Sequence, residues 1–590
     1  MRKDEPTVRP GDRKPPEWGS DAVASVLGEL GLPYISLTPG SSYRGLHDSL
    51  VNYLGNTMPQ MLVCLHEEHA VALAHGYAKV AGRPMAVALH SNVGLMHASM
   101  AVYNAFCDRV PMLIIGATGP ADGAARRPWI DWIHTSADQG ALVRNYTKWD
   151  DQPASVQAAV DAIVRADVVT RTYPCAPAYV CLDVTDQESR LEGPVRFPDL
   201  ARHQPPAPLT PEPAATNGVL TLLERAERPL LLIGRVSRSE DGWRERVSLA
   251  EALGCAVLTD LKVGAGFPSD HPLNPVPPGT FLSAEGGRLL RQADLILSLD
   301  WVDLGGTLRQ AFGDGGVPAR VIACSMDFVL HNGWSKDHFG GYPADLAIPT
   351  EPDLLVRALC GRLKGRSPTP RNGWPAAGRS ADMPAAGTPA SANPAEPEGI
   401  PLRELAKELN ERTADCHVCL VRLPLGWAGQ DLRARHPLDY LGQDGGAGIG
   451  SGPGMVVGAG LALAGSGRIP VGVLGDGDYL MGSSALWTAA HYRIPLLVIV
   501  ANNRSFMNDE IHQQRVAVIR ERPTENRWLG QRISDPDPDL AAIARSLGLV
   551  GHGPVREAGD LRRILKQAIS EAERGSAVVV DVHVGREDYT

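Results

Sequence analysis

Ile469-Pro470-Val471-Gly472-Val473-Leu474-Gly475-Asp476-Gly477, with Asn502-Asn503 ending twenty-seven residues after Asp476, is the stretch on which the fold turns. The apolar run Ile469 to Leu474 has the density of a parallel strand buried on both faces, and Leu496 to Val500 is a second such run. Between them Leu486, Ala489, Ala490 and Ile494 recur at helical spacing, so the whole predicts one βαβ unit with a helix over Ser483 to Arg493. A right-handed crossover brings both strand ends to the same sheet edge, where the Asp476 carboxylate and the Asn503 amide can face one cation. Oxygen donors of this kind suit Mg2+, which is held by a few protein oxygens together with phosphate oxygens. The flanking Gly475 and Gly477 let backbone approach a diphosphate.

Upstream, His66-Glu67-Glu68-His69-Ala70 opens a segment with Ala70, Val71, Ala74 and Ala78 on one face, running to Gly76-Tyr77-Ala78 and Gly82. An acid at such a helix start is favoured by the dipole alone. The two motifs together, Gly-Asp-Gly through Asn-Asn and a Glu nine residues before Gly-Tyr-Ala, resemble those of the thiamine diphosphate enzymes. That resemblance implies an enzyme with thiamine diphosphate and Mg2+ as cofactors. It implies metal ligation by Asp476, Asn503 and the backbone carbonyl of Ser505, with Gly475, Gly477 and Asp478 lining the diphosphate. It also implies that Glu67 exchanges a proton with the aminopyrimidine ring, with Glu68 as the alternative one register away.

The rest of the chain limits the alternatives. At 590 residues it is too long for one core and predicts about three domains. Lys plus Arg is 57 and Asp plus Glu is 67, a formal net charge of −10 that argues against nucleic acid as a partner. Residues 1–19 are polar and Pro-rich, and no run approaches the eighteen or so apolar residues of a membrane span. A cytoplasmic location is expected, and nine scattered cysteines suit a reducing compartment. Cys416 and Cys419 have CxxC spacing but lie in an apolar run, Cys416 to Leu423, whose strand geometry points them to opposite faces.

Alternating strand and helix patterns divide the chain into an α/β block over 19–191, a second over 208–363, a Pro/Ala/Gly-rich linker over 366–398, and a third block over 399–590. Strands are expected at Tyr34–Leu37, Met61–Leu65, Met85–Leu89, Met112–Ile115 and Ala178–Leu182. The second block should contribute Pro229–Gly234, Ala256–Thr259, Leu295–Leu299 and Val321–Ser325. The fold class is therefore α/β with three doubly wound parallel-sheet domains, an order that resembles the pyrimidine-binding, central and diphosphate-binding domains of the decarboxylase and acetolactate-synthase branch. The same resemblance implies a homodimer or homotetramer with active sites at the subunit interface.

Within that branch several strings resemble benzoylformate decarboxylase. Leu89-His90-Ser91 implies that His90 transfers protons, Pro39-Gly40-Ser41 implies that the Ser41 hydroxyl reaches the substrate carboxylate, and Ser484 to Ala490 matches a helix core. Acetolactate synthases carry Ser-Gly-Pro-Gly-Ala-Thr-Asn where this chain has Ser91-Asn92-Val93-Gly94-Leu95-Met96-His97. The Gly-rich string Gly445 to Gly454 does not open a helix straight after a strand, as a dinucleotide fingerprint requires. By position it resembles the loop whose apolar residue, here Ile449, wedges beneath the bent cofactor.

Two departures stand out. Arg422-Leu423-Pro424-Leu425-Gly426-Trp427 has no hydroxyl where the decarboxylase has Ser and Thr, which leaves diphosphate binding to backbone amides near Gly426, Gly477 and Asp478. Arg504 to Arg515 is strongly polar where the decarboxylase is apolar, so a polar substrate competes with a solvated helix face as its explanation. His69 and His512 are candidates for a second active-site histidine. The expected activity is non-oxidative decarboxylation of a 2-oxo acid with carboligation. An acetolactate-synthase-like carboligase and a lyase on another substrate are the alternatives, and a non-catalytic scaffold is disfavoured because Glu67 and Asp476 are both present.

Overall fold

The computed structural model describes residues 3–11, 14–329, 341–366, 374 and 399–586. Apart from residues 366 and 374, the expected linker lies outside the described residues. Three separate sheets form, all of their strand pairs parallel. The first runs Gln60–Val63, Tyr34–Leu37, Ala86–Leu89, Met112–Thr118, Pro177–Asp183 and Trp149–Asp151 from edge to edge. The central sheet runs Leu346–Ile348, Arg320–Cys324, Leu295–Leu299, Pro229–Ile233 and Ala256–Thr259. The third runs Val418–Arg422, Ile469–Gly475, Leu496–Asn502, Ala577–His583 and Val550–Val555.

A parallel bridge between Leu420 and Tyr440 adds a rudimentary strand to the outer edge of the third sheet. With it the first and third sheets share one topology. In each, the first strand in sequence lies between the second and the third, so the winding reverses beside it. Ligand crevices in doubly wound sheets open beyond the strand ends at this reversal. The reversals fall at Leu37 and Leu89 in the first sheet, and at Arg422 and Gly475 in the third.

Apolar residues cover both faces of the third sheet. Cys419, Val421, Leu474 and Val498 face one cluster, whereas Leu420, Val471, Leu497 and Val580 face another. The strand begins at Val418, so Cys416, expected within it, lies in the bend before it; Cys416 packs against the second cluster and Cys419 sits in the first, and all nine cysteines are free. Among the described residues no helix is long and apolar enough to cross a membrane.

The helix Glu67–Ala81 of the first block lies against Gly452–Ala462 of the third, and one apolar cluster spans both. Their backbones touch because glycines stand at the crossing. A Cβ on Gly76 would lie 2.1 Å from the Met455 carbonyl oxygen, and one on Gly458 would lie 1.8 Å from that of Leu73. Buried Lys79 extends the contact, its Nζ donating to Asp108 and to the Gln443 carbonyl at 2.7 Å each. The central block is tied to the first by Arg109, which pairs with Asp300 at 2.6 Å.

Candidate active site

Beyond the third sheet's reversal, Gly475 ends its strand and Asp476 opens a short helix, Asp476–Gly482, that the spacing does not reveal. A break at Ser483 and Ser484 separates it from Ala485–Tyr492, so the helix expected over 483–493 is the second of two. Asp476 Oδ2 and Asn503 Oδ1 both accept from the N–H of Ser505 at 3.0 Å, which brings the two side-chain oxygens together. Ser505 bridges to Arg532, but the ladder bonds run through its neighbours Arg504 and Phe506 and not through its own carbonyl. Asp476 is buried, and burial pushes its carboxyl up to about 6 against the lowering by the Gly477 and Ser505 N–H groups. A buried carboxylate beside a second oxygen donor, with no basic side chain paired to it among the described residues, fits a small hard cation. A Cβ on Gly475 would meet open space, whereas one on Gly477 would come within 2.7 Å of the Phe506 ring.

Arg422, at the end of the neighbouring strand, answers the missing hydroxyls. Its guanidinium bridges Asp444 and Asp478, with 2.8 Å to Asp478, and all three are buried. Asp478 Oδ1 also accepts from the N–H groups of Gly450 at 2.7 Å and Gly452 at 3.2 Å, so its side chain holds the glycine loop. Gly426 lies in the turn after the Arg422 strand. The far side of the glycine loop is tied to the helix Ser91–Cys107 through buried Asn104, whose Nδ2 reaches Asp444, Gly448 and Ser451. Between these ties Ile449 is left 39% exposed, as a side chain that meets a ligand must be.

Glu67 is the first residue of its helix and is buried, His66 being the N-cap that accepts from the Glu68 N–H. Its carboxyl packs on Gly94, where a Cβ would lie 3.0 Å from Glu67 Cγ, and its Oε2 lies 3.1 Å from His97 Nδ1. Glu68 turns the other way, accepting from Ser451 Oγ at 3.3 Å. Of the two histidine candidates, His69 is buried against Ser484 Oγ at 3.2 Å, and burial lowers it to about 4. His512 is exposed on the helix Met507–Ile519. The histidine that touches Glu67 is His97.

At the first sheet's reversal His90 follows its strand and lies against the chain at Gly40, where a Cβ would come within 2.3 Å of the imidazole's own Cβ. Its Nδ1 lies 2.9 Å from the hydroxyl of Ser42, not of Ser41. Ser41 is the exposed first residue of a short 3-10 turn, Ser41–Tyr43, while Ser42 is buried. The Ser91 N–H donates to Ser42 Oγ at 3.1 Å from a residue held at φ 43, a left-handed conformation that costs on the order of 1 kcal/mol. The His134 ring meets His90 edge-on at 4.8 Å, and burial followed by this neighbour lowers the His90 pKa.

Family models match this chain in three places. They are the thiamine pyrophosphate enzyme N-terminal TPP binding domain at residues 17–142, the central domain at 216–305, and the C-terminal TPP binding domain at 424–582. The chain belongs to the thiamine pyrophosphate enzyme family. A benzoylformate decarboxylase of Pseudomonas aeruginosa is 26% identical over 540 residues, 86% of this chain and 89% of that protein. A probable chloroplastic acetolactate synthase 2 of Oryza sativa subsp. japonica is 26% identical over 522 residues, 84% of this chain and 72% of that protein. A solved 4-hydroxybenzoylformate decarboxylase of Rhodococcus jostii RHA1 superposes with a TM-score of 0.74, at 21% identity, over 97% of this chain and 100% of that one.

For a thiamine pyrophosphate enzyme, the polar stretch after Asn503 divides by face. His512, Gln513 and Arg515 are exposed, but Glu510 is buried, takes the Ser505 hydroxyl at 2.5 Å, and has Arg527 and Arg532 at 3.6 and 3.8 Å. Glu510 therefore braces the loop at Ser505. Neither Glu510 nor His134 carries a sequence signal that marks it. Ser42, His97 and Arg422 stand inside or beside quoted motifs, and the contact that each makes decides its role.

Proposed function

We propose that this enzyme depends on thiamine diphosphate and Mg2+ and decarboxylates a 2-oxo acid without oxidation, with carboligation to an aldehyde as a second outcome. The observation that carries this is His90 at the first sheet's reversal, its Nδ1 occupied by Ser42 at 2.9 Å. Nδ1 also accepts from the Ser42 backbone N–H at 3.4 Å, and the tautomer this favours carries its hydrogen on Nε2. In the neutral ring that nitrogen is a hydrogen-bond donor.

Asp476, Asn503 and the Ser505 carbonyl would hold the cation. Backbone at Gly475, Gly477, Asp478 and Gly426 would line the diphosphate, and Ile449 would support the ring system. When bound, thiamine diphosphate supplies the electron sink that 2-oxo acid decarboxylation requires. Glu67 holds and returns a proton at its carboxyl, the Ser41 hydroxyl orients the substrate carboxylate, and His90 takes up a second proton to become imidazolium and gives up the one on Nε2, returning to the neutral ring.

CO2 release from aliphatic, aromatic and acidic 2-oxo acids, with thiamine diphosphate and Mg2+ present or omitted and aldehyde and acyloin products analysed together, tests this. Cofactor-dependent release from one class supports it. Bound cofactor without release from any class would overturn it in favour of a lyase on another substrate. A carboligase is the second reading, favoured by the acetolactate synthase relative and opposed by residues 91–97. A homodimer or homotetramer with its sites at the subunit interface belongs to the proposal and is read by analytical ultracentrifugation.

A further inference from the structure

Two groups of side chains with the donor atoms for a cation, of different chemical character, lie in this molecule. The Asp476 and Asn503 site offers oxygen alone. On the first block, His66, Glu67 and His97 each bring one donor atom, and these atoms all lie within 4.8 Å of one another. Tetrahedral coordination with bonds of about 2.0–2.1 Å spaces its donors at roughly 3.4 Å, within reach of small side-chain rotations. The three come from two helices, the N-cap and first residue of Glu67–Ala81 and the second turn of Ser91–Cys107, so the backbone that carries them is rigid.

Three further features favour a metal over a plain acid and histidine contact. The His66 ring is held by the Glu68 N–H at Nδ1, 3.1 Å, which leaves Nε2 for a metal, and the His97 ring, now stacked 4.9 Å from it with planes 20° from parallel, must turn for both lone pairs to converge. Glu67 is buried, and among the described residues no Lys or Arg forms an ion pair with it. The side chain of His97 is 51% exposed, which gives a hydrated ion a way in and leaves a coordination position open to water.

We propose that His66, Glu67 and His97 form a binding site for Zn2+ or a similar transition-metal ion. Two imidazoles and a carboxylate suit Zn2+ and Co2+ and are poor ligands for Mg2+, so each cation has its own site. A metal here occupies the carboxylate oxygens of Glu67, so it excludes the proton exchange assigned to that residue. That consequence, unlike the site itself, rests on the proposed function.

The test uses the full-length protein free of cofactor, in excess Mg2+, titrated with Zn2+ by calorimetry and with Co2+ by visible absorption. One equivalent should bind, at least tenfold more weakly in His97→Ala and in His66→Ala than in wild type or in His512→Ala, with d–d bands of four- or five-coordinate Co2+. Because His66 caps a helix, the thermal melt of each variant is compared, and the exposed His97 variant is decisive. Zn2+ affinity and Co2+ spectra unchanged in His97→Ala would overturn the site. Saturating thiamine diphosphate should then weaken Zn2+ binding. If it does not, while the histidine variants do, the metal site stands and the assignment of Glu67 to the cofactor falls.

Discussion

The hydroxyl of Ser42 lies 2.9 Å from Nδ1 of His90, and the exposed Ser41 beside it makes no such contact. Two adjacent serines can therefore be separated by kinetics. Ser42→Ala removes the partner that fixes the ring and its tautomer, and should lower kcat about tenfold with cofactor affinity unchanged, a loss of about 1.4 kcal/mol in transition-state stabilisation. Ser41→Ala should act on KM for the 2-oxo acid. Equal kcat losses in both variants would refute this division of roles.

Gly40 supplies an independent check on the same ring. A Cβ at that position would overlap the His90 side chain, so Gly40→Ala should displace the imidazole and lower kcat at least as far as Ser42→Ala does. Its effect should be small in a His90→Gly background, because the Cβ and ring that a Gly40 Cβ would strike are then both absent. A full effect in that background would show that Gly40 acts elsewhere.

The pH behaviour of the loops around Asp476 follows from its burial. Burial raises its carboxyl to about 6, above the ordinary 3.8 or so of an aspartate. Between those values the folded protein binds more protons than the unfolded chain. The stability conferred by the neutral form is complete below about pH 4 and is lost as pH rises through 6, by up to roughly 3 kcal/mol. Without Mg2+, Asp476→Asn should therefore melt higher than wild type at pH 7.5 and equal it near pH 4. Mg2+ should restore wild-type stability above pH 6 and fail to bind the variant. A wild-type melt that is flat from pH 4 to 7.5 without Mg2+ would contradict this.

What the sequence reveals follows from how local each signal is. The apolar strands 229–233, 295–299 and 469–475 declare themselves because central parallel strands are buried on both faces, and their bounds were read to within a residue or so. The edge strands Trp149–Asp151 and Val550–Val555 are short or mostly polar and pass unnoticed, as does Ala577–His583, which no motif flags. Asp476 and Asn503 were legible because one βαβ unit holds both. Glu510 against Ser505, Asn104 against the glycine loop and His134 against His90 depend on segments brought together by folding, and no periodicity encodes them.

Arg422 should prove essential to the glycine loop. Removing its guanidinium leaves Asp444 and Asp478 buried near each other without a counter-charge, and a broken buried pair costs roughly 3–5 kcal/mol. Arg422→Met should lower the urea midpoint accordingly and weaken thiamine diphosphate binding. Adding Asp444→Asn, which removes one of the two charges, should recover part of both losses. No recovery in the double variant would mean that Arg422 acts on the cofactor directly and not through the carboxylates.

Glu67 and Glu68 leave the same helix start in different directions, Glu67 toward Gly94 and His97 and Glu68 toward Ser451. Each glutamine variant keeps shape and hydrogen-bonding capacity while removing the exchangeable proton. Glu67→Gln should reduce turnover by at least a hundredfold with thiamine diphosphate still bound, because a general acid and base contributes about 10²–10⁴-fold. Glu68→Gln should retain turnover within a few-fold, since a neutral amide can still accept from the Ser451 hydroxyl. Hydrogen–deuterium exchange at C2 of the bound cofactor separates the chemical step from binding. Fast exchange in Glu67→Gln with slow exchange in Glu68→Gln would transfer the proton-exchanging role to Glu68 and with it the orientation of the whole crevice, since only Glu68 faces the glycine loop of its own chain.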